Sequence, residues 1–419
     1  MTTESALIDL LGAIARVPTR QALTFDHPAF AALRAWVQDE YPAAGSKDGL
    51  NFALSAALDR LGVPGAVRAG AMSDAALSAA ADRLTAGLTA ELAWRTHLCP
   101  LDVADELPSL SFGPNAVREF SAEALQGLFS SLGGLAPTVD PRFAQFRWLV
   151  VREEAVLEHP PGRRAFPFLY INMGKDFAGI EPHPRHFPVA VEAALFALLL
   201  APWEDLVTHG DINWRAFQTP WVYTIDEDLF VRPGRLPSAD SLSWAPDSYR
   251  DHDGETVEYE RPSTYAWADA ITGLEPWLND TRWRAVEVAL ASDLFSTPVA
   301  HFLISAFSAN GIDEFIGHLT ALEAALGLRA DQAREKTLGA RVGALLGDPQ
   351  AATTYGRLFN LRSEYVHGRP MTEISGADRN DARRLARRVA DGLVQRAQVP
   401  VTARADMLLA LAPHRSHKS

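Results

Sequence analysis

One cysteine, Cys99, stands among 419 residues. Its isolation excludes an intrachain disulfide and any zinc cluster built on cysteines, and it suits a reducing compartment. Apolar runs long enough to span a bilayer are also missing. The most apolar stretch, "VAVEAALFALLLAPW", is short and carries Glu192, so it is expected as a buried core helix. The opening "MTTESALIDLLGAIARVPTR" has acids where a signal peptide needs positive charge, and it reads as a first amphipathic helix. A cytoplasmic protein with no membrane partner is therefore expected. The sequence has no phosphate-binding Gly-rich loop ending in Lys-Ser/Thr, no HExxH and no Gly-x-Ser-x-Gly, and it shows no internal repeat or low-complexity tract.

The apolar fraction of 47% is that of an ordinary globular protein, and the length exceeds one compact core. The net charge of −13 is unevenly spread. From His301 onward there are 16 Lys+Arg against 12 Asp+Glu, a net of +4, which leaves 23 against 40, a net of −17, in the first 300 residues. The last segment is an electrostatically distinct unit.

The periodicity predicts an α+β protein, mostly helical, in three parts. Residues 1–135 read as a helical region, with apolar periodicity in Ala6 to Ile14, Phe30 to Val37, Leu50 to Leu61 and Ala75 to Leu92. "CPLDVADELPSLSFGP", Cys99 to Pro114, reads as an ordered loop. Residues 136–270 read as a mixed α+β region. There "FRWLVV", "FPFLYIN", "PWVYTI" and "ETVEYE" have strand character, packed by a helix from Pro188 to Leu200, and a long surface excursion lies between Asp226 and Pro262. Residues 280–410 read as a helical bundle.

Within that bundle, "YGRLFNLRSEYVHGRP" places Tyr355, Leu358, Phe359 and Val366 on one stripe with Arg362 in its middle. In the helix "IDEFIGHLTALEAALG", Glu323 occupies the apolar stripe in the same way. Two isolated buried charges would each cost several kcal/mol, so Glu323 and Arg362 are expected to meet, either as a functional pair or as an ion pair that fixes helix register. His367 is rotated about 140° from Arg362 and lines up with Asn360 and Ser363, with Glu364 nearby. Taken alone it reads as a capping residue at a helix C-terminus.

An arginine and a histidine together suffice to cleave RNA without a metal. The 2′-hydroxyl supplies the nucleophile, histidine titrates near neutrality, and arginine stabilises charge on the phosphorane oxygens. Arg followed by His after four to six residues occurs three times, at Arg20/His27, Arg152/His159 and Arg362/His367, so the surrounding residues must discriminate. "LRSEYVHG", preceded some forty residues earlier by "ALEAALG", resembles the ApeA-like branch of the HEPN superfamily over about Arg282 to Val399.

That resemblance implies a helical bundle that pairs about a two-fold axis, and a metal-independent endoribonuclease that leaves 2′,3′-cyclic phosphate in a toxin or anti-phage defence role. It needs no cofactor, and its partners are RNA and an antitoxin or phage-derived trigger. His367 would be the general acid/base, Arg362 the phosphate ligand and Glu323 an orienting partner, with Asn360, Ser363 and Glu364 supporting. Ser363 departs from the Asn, Asp or His common at that place in ribonuclease members. Non-catalytic members make a dimerisation or RNA-binding module the alternative.

Arg379, Arg383, Arg384, Arg387 and Arg388 form the one obvious phosphate-binding row in an acidic chain; the competing reading is the solvated face of an amphipathic helix. "HPRH" (His183, His186) has metal-like spacing without a nameable third ligand. The acids of "DEDLF" and of Asp251, Asp253 and Glu255 read as solvated turns, so no metal site is expected.

Overall fold

The computed structural model describes residues 3–44, 47–67, 70–104, 107–157, 186–206, 214–264, 273–368, 373–399 and 403–411. Five helices open the chain: α1 (Thr3–Ala15), α2 (Pro28–Glu40), α3 (Lys47–Leu61), the short α4 (Pro64–Val67) and α5 (Asp74–Thr89). Strands β1 (Leu92–Leu101), β2 (Leu110–Phe112) and β3 (Asn115–Arg118) follow, then α6 (Ala122–Leu128) and β4 (Arg147–Val156). Next come α7 (Val189–Leu199), α8 (Trp203–Leu206), β5 (Tyr223–Asp226), β6 (Trp244–Arg250) and β7 (Thr256–Pro262). The remainder is helical: α9 (Asp280–Leu290), α10 (Val299–Ser308), α11 (Gly311–Leu326), α12 (Arg334–Leu346), α13 (Pro349–Val366), α14 (Gly376–Ala397) and α15 (Arg404–Leu411).

Among the described residues, five antiparallel strands pair in the order β2-β3-β4-β1-β5, with Cys99 opposite Leu149 and Leu98 opposite Val150. Alternate side chains of β1 and β4 therefore serve different cores. Cys99, Leu101, Leu149 and Val151 join a large core with α7, α9 and the C-terminal helices. Leu98, Trp148 and Val150 join Phe129, Phe143 and Tyr223 in a second core on the opposite face. Helices α1–α5 enclose a third with Leu229 and Phe230.

Two expectations change. The sheet crosses the boundary expected at residue 135, because β1 pairs along its whole length with β4. The segment expected as a loop from Cys99 contains the end of β1 and all of β2. Pro100 is tolerated in a central strand because β5 pairs only with Arg95–Leu98 and has ended before it. "ETVEYE" forms half of the separate β6–β7 ribbon, while "FPFLYIN" lies outside the described residues.

The C-terminal helices begin and end where local chemistry dictates. Asp348 caps α13 by accepting from the Gln350 and Ala351 amides, and Pro349 occupies its first turn. Ser375 and Asp378 form a capping box on α14. At the crossing of α10 and α11 a side chain on Gly317 would meet the Ala306 backbone, so only glycine permits that approach.

Candidate functional site

Helix α11 carries Glu323 and α13 carries Arg362, and the two side chains meet. Arg362 Nη1 lies 3.4 Å from Glu323 Oε1. The pair is not the fully buried one its apolar stripes suggested: the side chains keep 26% and 21% of their exposure. The reason lies in α13 itself. Tyr355 and Leu358 are sealed in the core, Phe359, Leu361 and Arg362 are half-buried, and the final turn runs past the neighbouring helices. Val366, expected in the buried stripe, is 49% exposed for the same reason.

His367 closes α13, its amide donating to the Ser363 carbonyl at 3.1 Å, and Gly368 follows at a φ of 62°. The His367 side chain is exposed, as are Tyr365 and Val366 beside it. Ser363 and Glu364 are half-buried on the same turns. Asn360 is drawn toward α12 instead, where its Nδ2 donates to Glu335 Oε1 at 3.3 Å. Behind the ion pair, Arg362 Nε and the Tyr355 hydroxyl are buried and lack a hydrogen-bond partner among the described residues. Burial raises the Tyr355 pKa, with the Glu323 carboxylate adding to the effect, so the phenol stays protonated at neutral pH.

The arginine row on α14 divides into two faces. Arg379, Arg383 and Arg387, spaced four residues apart, turn inward. Arg383 and Arg387 are only 5% and 8% exposed, which corrects the expectation that all five face solvent and a phosphate backbone. Both Arg379 (2.7 Å) and Arg383 hold the buried carboxylate of Glu314 on α11. Burial alone would raise the Glu314 pKa, but the two arginine hydrogen bonds outweigh it and hold it below the usual carboxylate range. Arg387 donates from Nε at 2.8 Å and Nη2 at 2.6 Å to Glu204 of α8. The outer row is more accessible: Arg384 pairs with Asp205, and Arg388 with Asp348 at 3.0 Å.

His318, one turn after Glu314, is sealed inside this cluster, its Nδ1 2.9 Å from the Glu314 carbonyl and its ring beside Trp214. Burial pushes its imidazole down to about 4, so it is neutral at physiological pH. Sequence reasoning passed over Glu314, Glu204 and His318. The available signals were the four-residue spacing of the arginines and the acids set inside the apolar runs "PWEDL" and "IDEF".

The other constellations fall away. His183 lies outside the described residues. Among the described residues, the one group with metal-like spacing is Asp251, His252 and Asp253 at the turn of the β6–β7 ribbon, largely exposed. No described helix is long and apolar enough to cross a membrane. No family model, curated protein or solved structure matches the chain.

Proposed function

We propose that the chain is a metal-independent endoribonuclease of HEPN type, acting as a homodimer in a toxin or anti-phage role, with its N-terminal region sensing or restraining. The observation that carries this reading is the Arg362–Glu323 pair joining α11 to α13, with His367 exposed at the end of the same helix, about 7.5 Å further along its axis. Glu323 fixes one edge of the Arg362 guanidinium, and its buried Nε has no hydrogen-bond partner among the described residues.

In the proposed reaction His367 withdraws the 2′-hydroxyl proton, and the 2′-oxygen attacks the adjacent phosphorus. The new P–O2′ bond closes a 2′,3′-cyclic phosphate as the P–O5′ bond breaks, and a protonated histidine supplies the proton to the departing 5′-oxygen. Arg362 stabilises the charge gathered on the non-bridging oxygens.

Purified protein should cut RNA in the presence of EDTA and leave 2′,3′-cyclic phosphate ends. His367→Ala should lose about 10²–10⁴-fold in rate with its fold unchanged. Arg362→Lys keeps the charge but loses the fork, and is expected folded and much less active. The second reading, a non-catalytic dimerisation or RNA-binding module, draws on the engagement of Arg362 by Glu323 and of the α14 arginines by carboxylates. A wild-type dimer that binds RNA and cuts none would select it.

A further inference from the structure

The helical N-terminal region contains a groove of about 730 Å³ that the ribonuclease reading does not use. Its size falls within the roughly 300–1,000 Å³ of small-molecule sites. The wall is aromatic: Phe25, Phe52 and Phe230 line it, with the Phe25 and Phe52 rings edge to face at 5.3 Å. The wall is also braced, because Arg34 Nη1 donates both to the Phe25 carbonyl at 3.1 Å and to Asn51 Oδ1 at 2.7 Å, tying the loop to α3.

Two further arginines, Arg20 and Arg232, line the groove, and both are anchored on the carboxylate of Asp59 at the end of α3. Asp59 is fully buried and engages one guanidinium with each oxygen, Arg232 at 2.9 Å. Two cations on one carboxylate leave a surplus positive charge. No carboxylate lines the groove among the described residues, in the part of the chain that carries a net of −17. The guanidinium side chains remain 44% and 59% exposed, so they are oriented by Asp59 without being consumed by it.

An aromatic wall beside two pre-oriented guanidiniums matches a ligand with a flat ring and a phosphate. Rings stack on phenylalanine faces, and arginine forks match phosphate oxygens. We propose that this groove is a nucleotide-binding site, with the base against Phe25 and Phe52 and the phosphate on Arg20 and Arg232. A base with its sugar phosphate uses more of the volume than a phosphorylated tyrosine side chain does, which favours the nucleotide.

The test is calorimetric titration of the full-length protein with adenosine monophosphate, adenosine, inorganic phosphate, phosphotyrosine and a 5′-phosphorylated deoxyadenosine trinucleotide. None of these probes has a phosphodiester next to a 2′-hydroxyl, so the result is independent of ribonuclease activity. Adenosine monophosphate should bind at least tenfold more tightly than adenosine, phosphate or phosphotyrosine. Arg232→Lys, which keeps a cation beside Asp59 but loses the fork, and Phe52→Ala should each weaken it at least tenfold, with the melting temperature of each variant checking that it is folded. Tighter binding of the mononucleotide assigns the site to a free nucleotide, and tighter binding of the trinucleotide assigns it to the 5′ end of a strand. No saturation by adenosine monophosphate at millimolar concentration, equal affinity in both variants, or phosphotyrosine binding as tightly would overturn the proposal.

Discussion

At the residue scale the charged side chains inside the helical part carry most of the information. Glu323 and Arg362 announced themselves as charges in apolar stripes, and they meet. Their residual exposure places the pair at the rim of the core, where its energetic value falls between that of exposed and fully buried pairs. His318 is the deeper case. Its imidazole is held neutral by burial, with Arg383 and Arg215 adding repulsion and the Glu314 carboxylate opposing them. Above pH 6.5 the ring is neutral whether the chain is folded or unfolded, and it contributes nothing to pH dependence. Below 6.5 the unfolded chain takes up a proton that the folded chain refuses until about pH 4, so stability is lost as pH falls through that window. Glu314, held below its usual range, stays ionised across most of it. Urea unfolding at pH 7, 5.5 and 4.5 should show an extra loss approaching about 1.4 kcal/mol per pH unit in wild type that His318→Gln lacks. Parallel curves for the two proteins would show that His318 accepts a proton in the folded state.

At the element scale α14 illustrates how a row of like charges becomes structural. Its inward arginines meet carboxylates supplied by α11 and α8, while its outward ones meet Asp205 and Asp348. Arg387→Ala would leave the Glu204 carboxylate buried without its cation, its side chain being only 2% exposed. A loss of about 3–5 kcal/mol is expected. Arg388→Ala touches a half-exposed surface pair and should leave the urea midpoint nearly unmoved. Equal destabilisation by the two substitutions would contradict this division of faces.

Helical periodicity made α1–α3, α5, α7, α11 and α13 legible from the sequence, along with the helical character of residues 280–410 as a whole, because these rest on local rules. Strand β1 escaped for a physical reason. It is a central strand whose last five residues are all buried, so it shows no alternation there, and it ends across a proline. Its identity depends on pairing with residues some fifty positions away, which no local pattern records. The inward turn of Arg383 and Arg387 was hidden likewise, since it depends on Glu314, 69 residues away, and on Glu204, 183 residues away.

For the whole molecule, the charge asymmetry of the sequence is partly internalised. The +4 segment after residue 300 meets the −17 segment before it through Arg384 with Asp205 and Arg387 with Glu204. The sheet and the C-terminal helices also share one continuous core. The expected third part is therefore seated against the second instead of swinging free on a linker.

The end of α13 is the exception to this enclosure. Tyr365 and Val366 stand 40% and 49% exposed immediately before His367. In a single chain His367 and Arg362 diverge by about 140° around their helix, and a two-fold partner packed on this tip would bring both sets into one cleft under an apolar seal. Light scattering at micromolar concentration should therefore report twice the 45.7 kDa chain mass. Val366→Asp would put an unpaired carboxylate into that contact, so it should yield a folded monomer with lost ribonuclease activity. A monomeric wild type that cuts RNA would remove the dimeric cleft from the proposal. A Val366→Asp variant that stays dimeric would move the contact to another face.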